Sequence, residues 1–282
     1  MGDARPIGIF DSGVGGLTVA REIRRILPGE STIYVGDTAR VPYGAKSPEE
    51  LLVFAQEIIH FLLSKNVKAV VIACGTSSAV TYTKLQEIFP NLPLVDVIRP
   101  GVEACVDLCM PGTRAKRTTP PAYPRLGLIA TAATIKSGLF SRLITEKCPG
   151  VTLHDRACPL FASMVEAGLQ PNHPALRFAA ETYLSDLRGE IDALVLGCTH
   201  YPLLTNILSA TLGDVRFIDI SEATAWATKK RLGQLGILAG VEPAAPTHEY
   251  YVSGPSDVFR TTGSLIVGEE LNLSTVMLEA FI

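Results

Sequence analysis

The sequence lacks the features that mark several large classes of protein. No apolar run approaches the roughly 20 residues that a membrane-spanning helix needs. The formal net charge is −3 and the pI about 6.0, so the chain has no basic excess that would attract nucleic acid. We therefore expect neither a membrane nor a nucleic-acid partner. The first residues lead directly into a predicted strand and leave no room for a signal peptide, so we expect a cytoplasmic protein.

Cysteine is sparse, and its spacing excludes a disulfide framework. Only six cysteines occur in 282 residues, and no two form a Cys-x-x-Cys pair. Each thiol is therefore a core residue, a metal ligand or a reactive group. Cys105 and Cys109 lie four apart on a predicted helix, and Cys148 and Cys158 have no chemically active neighbours in the sequence. We interpret these four as packing residues.

Alternating strands and helices dominate what is present. Short apolar, β-branched runs at 6–10, 31–35, 69–73 and 92–98 read as buried strands, and amphipathic segments separate them. This βαβ order predicts a parallel sheet layered by helices. Further strands are expected at 125–131, at 193–197, at 215–219 and, as an edge strand, at 250–255.

The second half of the chain resembles the first. Gly8 and Gly127 occupy similar strands 119 positions apart, and Cys74 and Cys198 occupy similar strand ends 124 positions apart. Two anchors that agree within five positions predict a duplication.

We therefore predict an α/β fold of two similar three-layer domains with mostly parallel sheets. They are related by a pseudo-twofold axis, and the active site lies in the cleft between them. The expected first domain comprises residues 1–99 plus 217–282, and the second comprises 100–216.

Cys74 and Cys198 lie just past the carboxyl ends of two buried strands, where open α/β sheets bind ligands. Helix N–H groups beyond each cysteine are expected to lower its pKa. His200 can exchange protons with Cys198, and three acids can take part in the same transfers: Asp11, Asp37 and Glu166. Two thiols from distant parts of the chain suit proton removal from one face of a carbon and delivery to the other.

Other interpretations of these residues stay open. Two cysteines and His200 can supply three zinc ligands, but no second histidine or acid shares the local motif. The glycine-rich turn at 11–16 lies between a strand and a helix, which is an anion-binding layout. It matches neither a P-loop nor a dinucleotide fingerprint. A small ligand with an ammonium group and carboxylates suits such a turn better than a nucleotide.

Four segments together resemble glutamate racemase, of the aspartate/glutamate racemase family. They are Phe-Asp-Ser-Gly-Val-Gly-Gly-Leu-Thr (10–18), Tyr-Val-Gly-Asp-Thr-Ala-Arg-Val-Pro-Tyr-Gly (34–44), Val-Ile-Ala-Cys (71–74) and Leu-Gly-Cys-Thr-His-Tyr-Pro-Leu-Leu (196–204). The resemblance covers nearly the whole chain. It implies cofactor-independent interconversion of L- and D-glutamate, which supplies D-glutamate for peptidoglycan. It also implies two similar α/β domains with the active site between them. We expect a homodimer, no metal and no organic cofactor.

The same resemblance implies a role for each matching residue. Cys74 takes the α-proton from D-glutamate, assisted by Asp11, and Cys198 takes it from L-glutamate, assisted by His200. Asp37 and Glu166 match further acids near the site. The implied substrate-binding residues are Asp11, Ser12, Pro42, Tyr43, Gly44, Gly75, Thr76, Thr134, Thr199 and His200. Thr131 is a near neighbour with a claim similar to that of Thr134.

One position departs from the family pattern. The family usually has Cys-Asn-Thr after the third strand, whereas this chain has Gly75. We expect water, Ser77 or Ser78 to replace part of the missing amide. A lost hydrogen bond to a charged group costs about 1.5–3 kcal/mol, so Gly75→Asn is expected to bind glutamate more tightly. The proline-rich, basic stretch at 111–124 is expected to be a solvated loop.

Two other functions remain open. One is a related two-thiol racemase acting on aspartate or a hydantoin. The other is an amino-acid-binding sensor whose thiols are vestigial. Exchange of the Cα hydrogen in D₂O separates a racemase from a sensor.

Overall fold

The computed structural model describes residues 2–109, 124–240, 245–255 and 257–281. Its strands are β1 (Ile7–Asp11), β2 (Thr32–Gly36), β3 (Ala69–Ile72), β4 (Leu94–Asp96), β5 (Arg125–Ala130), β6 (Thr152–Ala157), β7 (Ala193–Leu196), β8 (Arg216–Asp219), β9 (His248–Val252) and β10 (Leu273–Thr275). Its α-helices are α1 (Leu17–Ile26), α2 (Pro48–Ser64), α3 (Gly75–Ile88), α4 (Ile98–Cys109), α5 (Ala132–Ser137), α6 (Leu139–Lys147), α7 (Pro159–Glu166), α8 (Pro174–Leu184), α9 (Thr205–Leu212), α10 (Ile220–Leu235) and α11 (Asp257–Val267).

The strands form two separate parallel sheets. The first has the order β10-β9-β2-β1-β3-β4, and the second has the order β6-β5-β7-β8. The second order repeats the β2-β1-β3-β4 part of the first, with β5 in the place of β1 and β7 in the place of β3. This is the correspondence that the predicted duplication requires. The prediction of an α/β fold with parallel sheets is confirmed.

Burial explains why the central strands were recognisable from the sequence. Every residue of β3 and of β7 is buried, so their apolar, β-branched side chains pack against helices on both faces of a sheet. Helix α2 begins at Pro48 because Ser47 and Glu50 form a capping box and proline suits the first turn of a helix.

Three predictions about strands were incomplete or wrong. β6 has only partly buried or exposed residues at the edge of its sheet, so it lacks an apolar run and was not predicted. β10 is only three residues long and was also missed. The late strand was predicted as an edge strand, but β9 lies between β2 and β10.

The predicted domain division remains a prediction, with one boundary corrected. β8 pairs with β7 along its whole length, so a boundary between residues 216 and 217 would cut this strand. We place that boundary after Asp219. Helix α10, which follows, packs against both α1 and α4. One continuous hydrophobic core therefore includes strands of both sheets.

The proline-rich stretch at 111–124 falls, except for Pro124, outside the described residues. Within the described part of the chain, no helix is both long enough and apolar enough to span a bilayer.

Candidate active site

A cavity of about 480 Å³ lies against the carboxyl ends of β1, β3, β5 and β7. Both halves of the chain line it. Of the residues proposed from the sequence, those that line it are Asp11, Ser12, Pro42, Tyr43, Gly44, Cys74, Gly75, Thr76, Glu166, Cys198, Thr199 and His200. Asp37 and Thr134 do not line it. Cys74 and Cys198 therefore face a single space, and each is only 5% exposed.

A histidine and a glutamate lie behind Cys198. His200 Nδ1 is 3.5 Å from Cys198 Sγ, and His200 Nε2 is 2.6 Å from Glu166 Oε1. Because a carboxylate oxygen only accepts, Nε2 donates to Glu166, which leaves Nδ1 to exchange a proton with the thiol. Burial alone would lower the pKa of His200, but its hydrogen bonds to Cys198 and Glu166 outweigh burial and raise that pKa well above the usual value.

The glycine-rich turn between β1 and α1 packs directly against His200 and Glu166. The backbone N–H of Val14 donates to Glu166 Oε1 at 2.8 Å. A Cβ at Gly13 would lie 2.0 Å from the same oxygen, and a Cβ at Gly15 would lie 2.4 Å from His200 Nδ1. Glycine is therefore needed here for close approach of the two halves. One N–H of this turn thus binds a carboxylate of the protein itself, and the small ligand expected at the turn stays a prediction.

Different groups surround Cys74. This residue precedes α3, and its sulfur accepts the backbone N–H of Ser77 at 3.5 Å. Its thiol is 4.0 Å from the hydroxyl of Ser12, which in turn donates to Asp11 Oδ1 at 3.2 Å. The hydroxyl of Thr199, from the other half, donates to Asp11 Oδ2 at 3.1 Å. Asp11 thus connects to Cys74 through Ser12.

The expected lowering of the Cys74 pKa was wrong. Burial raises the pKa of Cys74 well above its usual value, and the charge of Asp11 adds to this effect. The N–H of Ser77 opposes the shift but does not overcome it. Burial also raises the pKa of Asp11, against the opposing charge of His200. Cys74 therefore rests as a thiol that can donate a proton, beside an acid that holds its own proton more readily than usual.

Three threonines form a chain of hydroxyl contacts at one side of the cavity. Thr131 Oγ1 is 2.9 Å from Thr76 Oγ1 and 2.9 Å from Thr134 Oγ1. Thr131 lines the cavity, and Thr134 lies behind it. The structure therefore places Thr131, the alternative considered from the sequence, at the position proposed for Thr134.

Gly75 is in contact with the opposite half. A Cβ at this position would lie 2.7 Å from the carbonyl oxygen of Gly197, so a side chain here would force the two cysteine loops apart. This argues against the expected benefit of Gly75→Asn. Ser77 and Ser78 do not replace the missing amide, since both are fully buried outside the cavity lining. Their hydroxyls instead contact Thr81 and the backbone of β3.

Asp37 is fully buried behind the cavity wall. Its two oxygens accept hydrogen bonds from the side chains of Arg40, Tyr43 and Ser253. The carboxylate is therefore occupied by the protein and does not reach the space where a substrate binds.

Some lining residues were not identified from the sequence. Helix α7 and the residue that follows it form one wall, with Pro159, Ala162, Ser163 and Ala167 in addition to Glu166. Ala162 and Ser163 lie four residues before Glu166 and Ala167, so a helical repeat around the predicted acid would have placed all four on one face. Val41, Ala45 and Ala132 complete the lining.

The described residues contain no group of three or more histidine, cysteine or acidic side chains arranged to hold a metal ion. The site instead has two thiols that share one cavity, each with a nearby acid–base group. This arrangement has the groups that one class of reaction needs, namely proton transfer at two faces of a small substrate.

Comparison with known proteins gives the same class. Residues 7–228 match the family model described as Asp/Glu/Hydantoin racemase. The glutamate racemase of Geobacter metallireducens is 42% identical over 98% of both chains. Two solved structures each align with 99% of this chain over 99% of their own chain. The Francisella tularensis glutamate racemase in complex with D-glutamate is 36% identical with a TM-score of 0.86. The Thermus thermophilus glutamate racemase in complex with beta-chloro-D-alanine is 37% identical with a TM-score of 0.81. This chain belongs to the Asp/Glu/Hydantoin racemase family.

Proposed function

We propose that this protein interconverts L- and D-glutamate by proton transfer at Cα, without a cofactor, and so supplies D-glutamate for peptidoglycan synthesis. The observation that carries the proposal is the position of Cys74 and Cys198, which line one cavity from opposite halves of the chain. The similarity to glutamate racemases over nearly the whole length supports glutamate as the substrate.

In the L-to-D direction the Cys198 thiolate takes the α-proton, and the bonding electron pair remains on the substrate carbon. Cys74 then gives its thiol proton to the opposite face of that carbon, which produces D-glutamate. The reverse reaction begins with a Cys74 thiolate and ends with proton donation by Cys198. After an L-to-D turnover Cys198 is protonated and Cys74 is a thiolate, and after a D-to-L turnover the reverse holds. His200 beside Cys198, and Asp11 with Ser12 beside Cys74, return the protons to their starting positions.

The carbanion intermediate needs stabilisation, because the α-hydrogen of an amino acid is only weakly acidic. We assign this task to preorganised donors around the α-carboxylate, in a site that excludes most water. The near-complete burial of both thiols supports such a closed site. The candidate donors that line the cavity are the backbone of Gly44 and the hydroxyl of Thr76. The hydroxyls of Ser12 and Thr199 already donate to Asp11, and that of Tyr43 donates to Asp37.

The deciding experiment follows L-glutamate, D-glutamate, L-aspartate and a 5-substituted hydantoin in D₂O. Circular dichroism measures inversion and proton NMR measures exchange at Cα. We expect inversion and exchange with both glutamate enantiomers and no dependence on added cofactor or chelator. Inversion of aspartate or the hydantoin in preference to glutamate would identify a related racemase. Absence of exchange from every compound would point to a binding protein and would overturn the proposal.

We also propose that the protein is a cytoplasmic homodimer. Several large apolar side chains are exposed on the described surface and can contribute to a contact between copies, among them Phe178, Leu265 and Met277. Analytical ultracentrifugation at micromolar concentration tests the association, and a single species of monomer mass would contradict it.

A further inference from the structure

Asp37 supports one wall of the cavity through its hydrogen bond with Tyr43, although Asp37 itself does not line the cavity. The hydroxyl of Tyr43 and the Nε of Arg40 both donate to Asp37 Oδ2, the latter at 2.7 Å. Tyr43 lines the cavity and packs in one buried cluster with Cys74. Burial and the charge of Asp37 raise the pKa of Tyr43 well above its usual value, so its hydroxyl stays protonated and donates. The orientation of the Tyr43 side chain therefore depends on its hydrogen bond to Asp37.

Ser253, at the end of β9, holds the other oxygen of this carboxylate. Its hydroxyl donates to Asp37 Oδ1 at 2.6 Å and accepts the backbone N–H of Ala39 at 3.0 Å. The single hydroxyl proton and one lone pair are both used, so Ser253 links the carboxylate to the backbone of the loop that follows it.

The residue after Ser253 packs the same loop from the same side. The N–H of Gly254 donates to Thr38 Oγ1 at 2.9 Å, and a Cβ at Gly254 would lie 2.9 Å from the Cα of Ala39. The turn after β9 therefore rests directly on the backbone of residues 38 and 39. The next residues of that loop, 41–45, all line the cavity.

We propose that Ser253 is a positioning residue for substrate binding, which acts through Asp37 to hold Tyr43 and the 41–45 loop against the substrate. Ser253 lies beyond residues 7–228, so the part of the chain that matches the family model does not contain it. The proposal rests on the proposed function, since the substrate held at Tyr43 is taken to be glutamate.

The test compares Ser253→Ala with Ser253→Thr and with a matched control, Ser264→Ala. Ser264 also accepts one backbone N–H in the C-terminal region, that of Leu271, and within the described residues its hydroxyl has no hydrogen bond to the 37–45 loop. We expect Ser253→Ala to raise the KM for glutamate by about tenfold, which corresponds to about 1.4 kcal/mol, with little change in kcat. Ser253→Thr keeps the hydroxyl and is expected to restore KM, and Ser264→Ala to leave it unchanged.

A double-mutant cycle separates positioning from a general loss of structure. If Ser253 acts through Tyr43, Ser253→Ala adds little to the KM increase that Tyr43→Phe causes alone. Additive effects, or a loss of kcat at unchanged KM, would overturn the proposal.

A second measurement does not depend on racemisation. Hydrogen exchange followed by mass spectrometry is expected to show faster exchange of residues 37–45 in Ser253→Ala, with unchanged exchange around Cys74. Unchanged exchange in the 37–45 loop would also overturn the proposal. If the parent protein does not act on glutamate, the proposed function fails, while the exchange result still decides whether Ser253 holds the loop.

Discussion

Cys74 and Cys198 follow equivalent strands of two sheets with the same strand order, and they face one cavity, yet their surroundings differ. Cys198 has an imidazole at 3.5 Å that is itself held by a partly buried glutamate. Among the described residues, the hydrogen-bond partners of Cys74 include no imidazole and are a backbone N–H and a serine hydroxyl that leads to Asp11. The duplicated scaffold thus positions two equivalent sulfurs but supplies each with a different route for its proton.

The difference reflects what each half contributes to the other. Glu166 and His200 belong to the second half, but they are held by the glycine-rich turn of the first. Asp11 belongs to the first half, but it accepts a hydroxyl from Thr199 of the second. Each proton route therefore crosses between the halves, and the site is complete only when the two sheets are correctly docked.

The largest expected effect comes from removing either sulfur. Cys74→Ala and Cys198→Ala are each expected to lower net racemisation by about 10²–10⁴-fold, since each removes one of two acid–base groups. The comparison becomes sharper in D₂O. Cys74→Ala is expected to retain Cα exchange with L-glutamate only, and Cys198→Ala with D-glutamate only. Cys105→Ala, a thiol buried away from the cavity, serves as the control and should remain active. Exchange of both enantiomers by a single-cysteine variant would contradict two separate bases.

Loss of the imidazole should affect one thiol more than the other. His200→Asn is expected to lower racemisation by roughly 10–10²-fold, because Cys198 loses its proton partner. The two kcat/KM values must remain equal, since L- and D-glutamate have the same free energy. The asymmetry is expected in the kinetic isotope effects instead. The isotope effect measured with Cα-deuterated L-glutamate should increase, and the one measured with Cα-deuterated D-glutamate should decrease. Equal changes in both would show that His200 serves the two sulfurs alike.

A side chain at Gly75 should disturb both thiols together. Gly75→Ala places a Cβ 2.7 Å from the carbonyl oxygen of Gly197 and forces apart the loops that carry the cysteines. We expect a fall of about tenfold in kcat/KM and a stability loss of about 1–3 kcal/mol, measured by steady-state kinetics and urea unfolding. Gly233→Ala is the matched control, because its Cβ meets only a leucine side chain at 3.6 Å. An active, equally stable Gly75→Ala protein would show that this contact is unimportant.

The smallest expected effect is on stability as pH changes. The folded-state pKa of His200 is raised above its value of about 6.5 in the unfolded chain. Its protonated form therefore stabilises the fold fully below about pH 6.5, and this stabilisation is lost as pH rises through the raised value. At low pH, the Tm of His200→Asn should be lower than that of the parent by about 2–4 °C, the shift that about 1 kcal/mol produces at this size. The difference in Tm should narrow as the pH is raised, and a constant difference would contradict the raised pKa of His200.

Much of the site could be predicted because its key residues sit at strand ends. The apolar runs of β3 and β7 end at Cys74 and Cys198, and parallel pairing places such ends at one edge of a sheet. The edge strand β6 was missed for the converse reason, since its exposed residues carry no apolar pattern. The role expected of Asp37 illustrates a different limit, because its sequence neighbours do not show that Ser253 occupies one of its oxygens.

Local patterns in the sequence determined the two parallel sheets, the capped helix α2 and the two sulfurs at strand ends, because burial and helix capping act over a few neighbouring residues. Tertiary structure alone decided the contacts between distant residues. Glu166 meets His200 across 34 positions, Val14 across 152, and Ser253 meets Asp37 across 216. Tertiary structure also decided the raised pKa of Cys74, because burial in the folded protein outweighs the helix N–H group that the sequence predicts. The contact between Val14 and Glu166 forms when the two halves dock, whereas the Glu166–His200 and Ser253–Asp37 contacts each lie within one half. In every case the partners are too far apart in the sequence for a local pattern to predict the contact.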